Sequence, residues 1–126
     1  MKTKFLNTLA ALTLVVVFLG GLVLWNKPSA VAPVPAVFLI ANYTMESATK
    51  ASKDSHKPLL VLATADWCMP CQELKRGALI DPKVAAAIEQ KTLPVYLDTE
   101  KHQETAAELK VTSIPTLYLI RDGRVM

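Results

Sequence analysis

From Phe5 to Trp25 the chain is almost wholly apolar, FLNTLAALTLVVVFLGGLVLW, interrupted only by Asn7, Thr8 and Thr13 and carrying no charge. A helix of that length extends about 30 Å, the thickness of a bilayer's hydrocarbon core. Lys2 and Lys4 precede the run, Lys27 follows it, and Trp25 stands where an interfacial aromatic would. Cleaved signal peptides have a shorter apolar region, about 7–15 residues, ending at a small-x-small site. Here the nearest such site, Ala30-Val31-Ala32, lies beyond the run and is followed at once by Pro33. The pattern therefore predicts an n-region over 1–4 and an uncleaved transmembrane signal anchor over 5–25. The lysines at the extreme N-terminus keep that end in the cytoplasm and export the rest. Pro28, Pro33 and Pro35 with small residues between them predict an extended, semi-rigid spacer over 26–37.

Beyond the spacer, strand and helix patterns alternate. Phe38-Leu39-Ile40 reads as a short strand. Thr44 is a candidate N-cap for a helix over 45–55, with Met45, Ala48 and Ala51 on one side. Pro58 opens Leu59-Leu60-Val61-Leu62-Ala63, apolar on both faces as a central strand must be. A helix follows from about Cys68 to Arg76. Gly77 loosens it, and Asp81-Pro82 starts another that runs to about Gln90. Strands are expected over 93–97 and 116–120, with a short helix over 102–109 between them. Asp122-Gly123 is a strong signal for a two-residue hairpin turn. This order predicts an α/β domain over 38–126, with a central mixed sheet and helices on both faces.

Composition changes the picture in one respect. The chain has 14 Lys+Arg and 11 Asp+Glu, a net charge of +3, and Lys2, Lys4 and Lys27 account for all of the excess. The exported body is neutral, so it offers no basic surface to nucleic acid.

Both cysteines fall in one short segment, Trp67-Cys68-Met69-Pro70-Cys71, after the buried strand and at the mouth of a helix. Cysteines three apart on a helix share a face, close enough for their sulfurs to bond. At the helix N-terminus, unpaired N–H groups and the positive end of the dipole favour a thiolate on Cys68, the expected nucleophile. Cys71 lies a turn inside and is the expected resolving thiol. Pro70 in the first turn gives up an N–H that has no partner there. A structural zinc site needs about four ligands, and only His56 and His102 are available, far apart in sequence. Two thiolates could hold copper(I), so a copper chaperone remains an alternative to redox chemistry, as does a non-catalytic scaffold that binds a partner chain.

The segment Ala65-Asp66-Trp67-Cys68-Met69-Pro70-Cys71, followed by Ser113-Ile114-Pro115-Thr116 and Asp122-Gly123, resembles the thioredoxin-like family. The placing of Asp81-Pro82-Lys83-Val84 after Cys71 is similar in particular to the exported C-terminal domain of the thiol:disulfide interchange proteins. The resemblance covers about residues 38–126 and implies a thioredoxin-like fold with Pro115 as a cis-proline facing the disulfide. It also implies that the Ile114 backbone pairs with an incoming substrate strand. By the same likeness the domain faces the periplasm of a bacterial inner membrane and reduces protein disulfides. Its electrons come from a membrane thiol reductase, and it uses no cofactor beyond the redox-active Cys68–Cys71 disulfide.

Two departures stand out. Most members place a buried acid six residues before the first cysteine, where this chain has Leu62; the lysine that often accompanies it is replaced by the Pro94-Val95 region. Activation of Cys71 is then expected to rely on water or on Glu73. The chain also stops at Met126, so the last strand and the C-terminal helix of the family are expected to be missing.

Overall fold

The computed structural model describes residues 13–21 and 30–126. The n-region, most of the expected anchor and the start of the spacer lie outside the described residues. Residues 13–21 are helical; among the described residues no helix is long and apolar enough to cross a membrane. The chain divides into a unit ending at Ala30 and a second unit, Val31–Met126.

In the second unit, strand β1 (Leu59–Thr64) lies between β2 (Leu93–Asp98) and β3 (Thr116–Arg121), and β4 (Arg124–Val125) forms the edge beside β3. β2 runs parallel to β1, whereas β3 is antiparallel to it, so the sheet is mixed. The expected hairpin turn joins β3 to β4. Asp122 and Gly123 both have positive φ, 52° and 72°, as a two-residue turn matched to the strand twist requires.

Alternation along β1 sends side chains into two apolar clusters. Val61 and Ala63 pack with Val95, Leu97 and Ile120 on one face, joined by Ala48 of α2 (Met45–Ser55) and Ala106 of α5 (Gln103–Glu108). Leu62 packs on the other face with Val37, Phe38, Leu79 and Ile88. Helices therefore cover both faces, and β1 is the buried central strand that its continuous apolar run predicts.

Local signals fix the helix starts. The Thr44 hydroxyl accepts from Ser47 N at 3.1 Å while Ser47 Oγ accepts from Thr44 N at 2.9 Å, a reciprocal cap. Asp81 Oδ1 accepts from Lys83 N at 2.8 Å, with Pro82 as the first residue of α4 (Pro82–Lys91).

Two expectations change. Phe38-Leu39-Ile40 is not a strand but the middle of helix α1 (Ala36–Ala41), which ends at Asn42 in the left-handed region, φ 44°. Its burial is one-sided in the helical sense: Val37 and Phe38 point into the core, while Leu39 and Ile40 are exposed. The spacer is also shorter than expected. Ala32 and Pro35 are buried, so the segment from Val31 is part of the folded unit.

Candidate redox site

Helix α3 (Met69–Arg76) begins directly after β1, so its N-terminus opens at the carboxyl end of the central strand. Cys68 is its N-cap, with extended φ −80° and ψ 105°, and its sulfur accepts from Cys71 N at 3.2 Å. Cys68 and Cys71 are joined in a disulfide with Cα atoms 5.2 Å apart. Pro70 occupies the first turn, as expected. Both cysteines are buried, Cys68 as the N-cap of α3 and Cys71 within its first turn. Beside them stand large apolar side chains: Trp67 is 67% exposed and Met69 52%.

The loop before β3 completes the site. The Ile114–Pro115 peptide is cis, and Ile114 packs against the cluster of Ala65, Cys68 and Cys71. Ile114, distant in sequence, thus meets the cysteine segment.

Trp67 is held from the loop after β2: its Nε1 donates to Glu100 Oε1 at 2.9 Å. That loop is organised by Asp98, whose Oδ1 accepts from Glu100 N at 3.1 Å and from Lys101 N at 3.4 Å. Lys101 Nζ lies 2.9 Å from Asp98 Oδ2. Burial pushes the Asp98 carboxyl up, but the Lys101 side chain and the two backbone donors together hold it below the usual carboxylate range. With its native pKa depressed, ionised Asp98 favours the fold above the unfolded value, and that contribution is lost as pH falls through the native one. Acidification below about pH 4 should therefore loosen this loop. Thermal melts at pH 7 and pH 3 are expected to show an acid-side loss that shrinks in Asp98→Asn.

Glu73, expected beside Cys71, is exposed; two residues beyond Cys71, it falls off that residue's helix face. The buried residues of α3 are Cys71, Gln72 and Lys75. Gln72 fills a polar slot. Its Oε1 accepts from Ala32 N at 2.6 Å, and its Nε2 donates to the carbonyls of Ala65 (3.4 Å) and Asp66 (2.9 Å). One amide thus ties the segment at Ala32 to the loop that leads into Trp67-Cys68. Gln72→Leu leaves Ala32 N buried without an acceptor. A loss of about 1–3 kcal/mol is expected in urea unfolding, with faster proteolysis around residues 31–35.

Leu62 is fully buried and lies opposite Tyr96 in the parallel register, so Tyr96 rather than Pro94-Val95 is its neighbour on the next strand. His56 and His102 are exposed at helix ends. Among the described residues no group of three or more His, Cys, Asp or Glu could hold a metal ion.

Comparison with known proteins agrees with this geometry. The thioredoxin family model matches residues 38–126. Thioredoxin Y1, chloroplastic, of Arabidopsis thaliana is 35% identical over 80 residues, which are 64% of this chain and 45% of that one. A thioredoxin of Mycobacterium tuberculosis (strain ATCC 25618 / H37Rv) is 39% identical over 70 residues, 56% of this chain and 58% of that one. The chain thus spans about half the length of these curated relatives. Among solved structures, the fold is shared with the DsbH oxidoreductase, at TM-score 0.63, 24% identity and coverage of 79% of this chain and 76% of that one. It is also shared with a disulphide isomerase of Xylella fastidiosa Temecula1, at TM-score 0.52, 28% identity and coverage of 64% and 66%. With the Cys-x-x-Cys disulfide at the helix mouth, Ile114 of the cis Ile114–Pro115 peptide against its cluster and a family match over all of 38–126, the chain belongs to the thioredoxin family.

Proposed function

We propose that this protein is a thiol:disulfide oxidoreductase that reduces protein disulfides in the bacterial periplasm, held to the inner membrane by residues 5–25 with its N-terminus in the cytoplasm. The observation that carries the reading is the Cys68–Cys71 disulfide at the mouth of α3, with Ile114 packed against its cluster and joined to Pro115 by a cis peptide. The exposed Trp67 and Met69 beside a nearly covered sulfur suit a polypeptide substrate that docks before it reacts. The uninterrupted apolar run and the flanking lysines support the anchor and its orientation.

The chemistry follows from the placement. In the reduced protein Cys68, at the helix N-terminus, is the thiolate and attacks one sulfur of a substrate disulfide. A mixed disulfide forms, and one substrate thiolate leaves and takes a proton from solvent. Cys71 then loses its proton and attacks the Cys68 sulfur. The second substrate thiolate is expelled, and two electrons have passed from the cysteine pair to the substrate. Ile114 presents its backbone to the substrate strand beside Cys68. An oxidising compartment does not re-reduce the pair, so a membrane thiol reductase must supply the electrons. The redox-active disulfide is the only cofactor required.

Two measurements on the full chain test this. Protease added to spheroplasts should degrade the domain while the cytoplasmic face remains sealed. Equilibration with thiol–disulfide buffers should give a reductant's potential, near the roughly −270 mV of thioredoxins. A value near about −120 mV would assign an oxidant, and a protected domain would overturn the orientation.

A further inference from the structure

Lys75 is 2% exposed, one of the most completely buried large side chains in the described structure. It lies four residues beyond Cys71 on α3, and residues so spaced share a helix face with Cβ atoms about 5–6 Å apart. Its ammonium does not reach solvent. Nζ is 3.3 Å from the Tyr96 hydroxyl, 5.8 Å from the Tyr96 ring centroid and 3.7 Å from Asp66 Oδ1. Lysines normally run their stems along a surface and leave the charge in water. Here the side chain is 1% exposed, while that of its acidic partner is 49% exposed, so water screens much of the compensation.

The charges around it are Asp66, the buried Asp98 at the end of β2, and Lys101, which pairs with Asp98 and also interacts with Asp66 and Tyr96. β2 contributes Tyr96, and the loop after β1 contributes Asp66. Glu100, in the loop after β2, is occupied by Trp67 Nε1. The nearby core on this face is apolar, with Phe38, Leu62, Leu79 and Ile88, and Thr64 adds a buried hydroxyl that has no partner. Burying a cation is costly, and one 3.7 Å contact with a half-exposed carboxylate offsets little of that cost. A role for the charge is therefore to be sought on the helix face it shares with Cys71.

We propose that Lys75 is a positioning residue for the exchange reaction: its buried positive charge stabilises the thiolate form of the reduced cysteine pair. This rests on the redox reading above. The atoms balance as in the reduction already described. Lys75 gives up no proton in the step; the Cys71 proton passes to water when Cys71 attacks Cys68 and expels the substrate thiolate. A charge that favours thiolate also favours the dithiol state over the disulfide.

The test is the pH dependence of alkylation of each cysteine in the reduced full chain, read by mass spectrometry after iodoacetamide. In Lys75→Met the alkylation midpoint should rise by about one pH unit, a roughly tenfold loss of thiolate at neutral pH. Lys75→Arg, which keeps the charge, should stay near wild type. Asp66→Asn changes an exposed side chain and should move the midpoint the other way by removing the opposing charge. Should Lys75→Met fail to fold, Asp66→Asn decides alone. Unmoved midpoints in folded Lys75→Met, equal behaviour of the Met and Arg variants, or no shift in Asp66→Asn would each overturn the proposal. Alkylation needs no substrate. A chain that fails to reduce protein disulfides would refute the functional reading and leave this comparison standing.

Discussion

Cells producing the Cys71→Ser variant should accumulate covalent adducts that a reducing agent dissolves, whereas Cys68→Ser should form none. The asymmetry comes from the positions of the two sulfurs. Cys68 caps the helix, and its sulfur already accepts a backbone N–H from Cys71, an interaction that strengthens when the sulfur is a thiolate. Cys71, by contrast, lies inside the first turn of the helix. Cys71 has no route to a substrate except through Cys68. Without Cys71 the first exchange still proceeds, but nothing resolves the mixed disulfide, so turnover stops with the substrate attached. Without Cys68 the remaining thiol is inside the helix and shielded. Both variants should lose disulfide-reducing turnover to the uncatalysed background, yet only one should yield trapped partners on a non-reducing gel. Adducts in equal amount from both would remove the distinction between attacker and resolver. Adducts from neither, with reduction intact, would leave a binding scaffold as the better account.

Much of this site was legible in the chain because its signals are local. A Cys-x-x-Cys segment between an apolar run and a helix start has few structural meanings; Asp81-Pro82 pairs an N-cap acceptor with a preset φ, and Asp122-Gly123 joins two residue types that tolerate positive φ. The polar groups behind the disulfide were missed for a different reason. The sequence offers water or Glu73 for activation of Cys71, and the helix turns Glu73 outward. The helical spacing i, i+3, i+4, i+7 from Cys68 names Cys71, Gln72 and Lys75, the three buried residues of α3. A rule that looks for apolar residues on the inner face passes over an amide and an ammonium. Gln72 is buried because Ala32, forty positions away, brings an N–H to it. That partner lies in a proline-rich stretch that by composition alone reads as a free spacer.

Leu62 and Lys75 together give the site an electrostatic character that neither sets alone. With Leu62 apolar, β1 adds no negative charge to oppose a thiolate, and the buried Asp98 carboxylate at the end of β2 is paired with Lys101. With a cation on the inner face of α3, the balance tips further towards the charged sulfur. Proton uptake and release at Cys71 must then pass through water at the mouth of the helix, and the exchange rate should follow thiolate population rather than titration of a buried carboxyl.

Phe38→Ala should cost about 3–5 kcal/mol, the usual range for emptying a buried aromatic site, and Ile40→Ala should cost almost nothing. Phe38 is 3% exposed and meets the Tyr96 ring edge-on, with centroids 6.1 Å apart and planes at 67°. It packs in the cluster with Leu62, Leu79 and Ile88, so its removal opens a cavity beneath the face that also carries the active-site helix. Small domains are stable by only about 5–15 kcal/mol, so the urea midpoint should fall by more than about 1 M. Ile40 is 80% exposed, although it has the side chain of a core residue. The pair discriminates between the two readings of this segment. In a strand, positions 38 and 40 share a face and respond alike. In helix α1 the chain turns about 200° between them, so one is buried and the other is not. Equal losses from the two substitutions would restore the strand and detach α1 from the fold; a large loss from Phe38 alone fixes the helix as part of the platform under Tyr96 and Lys75.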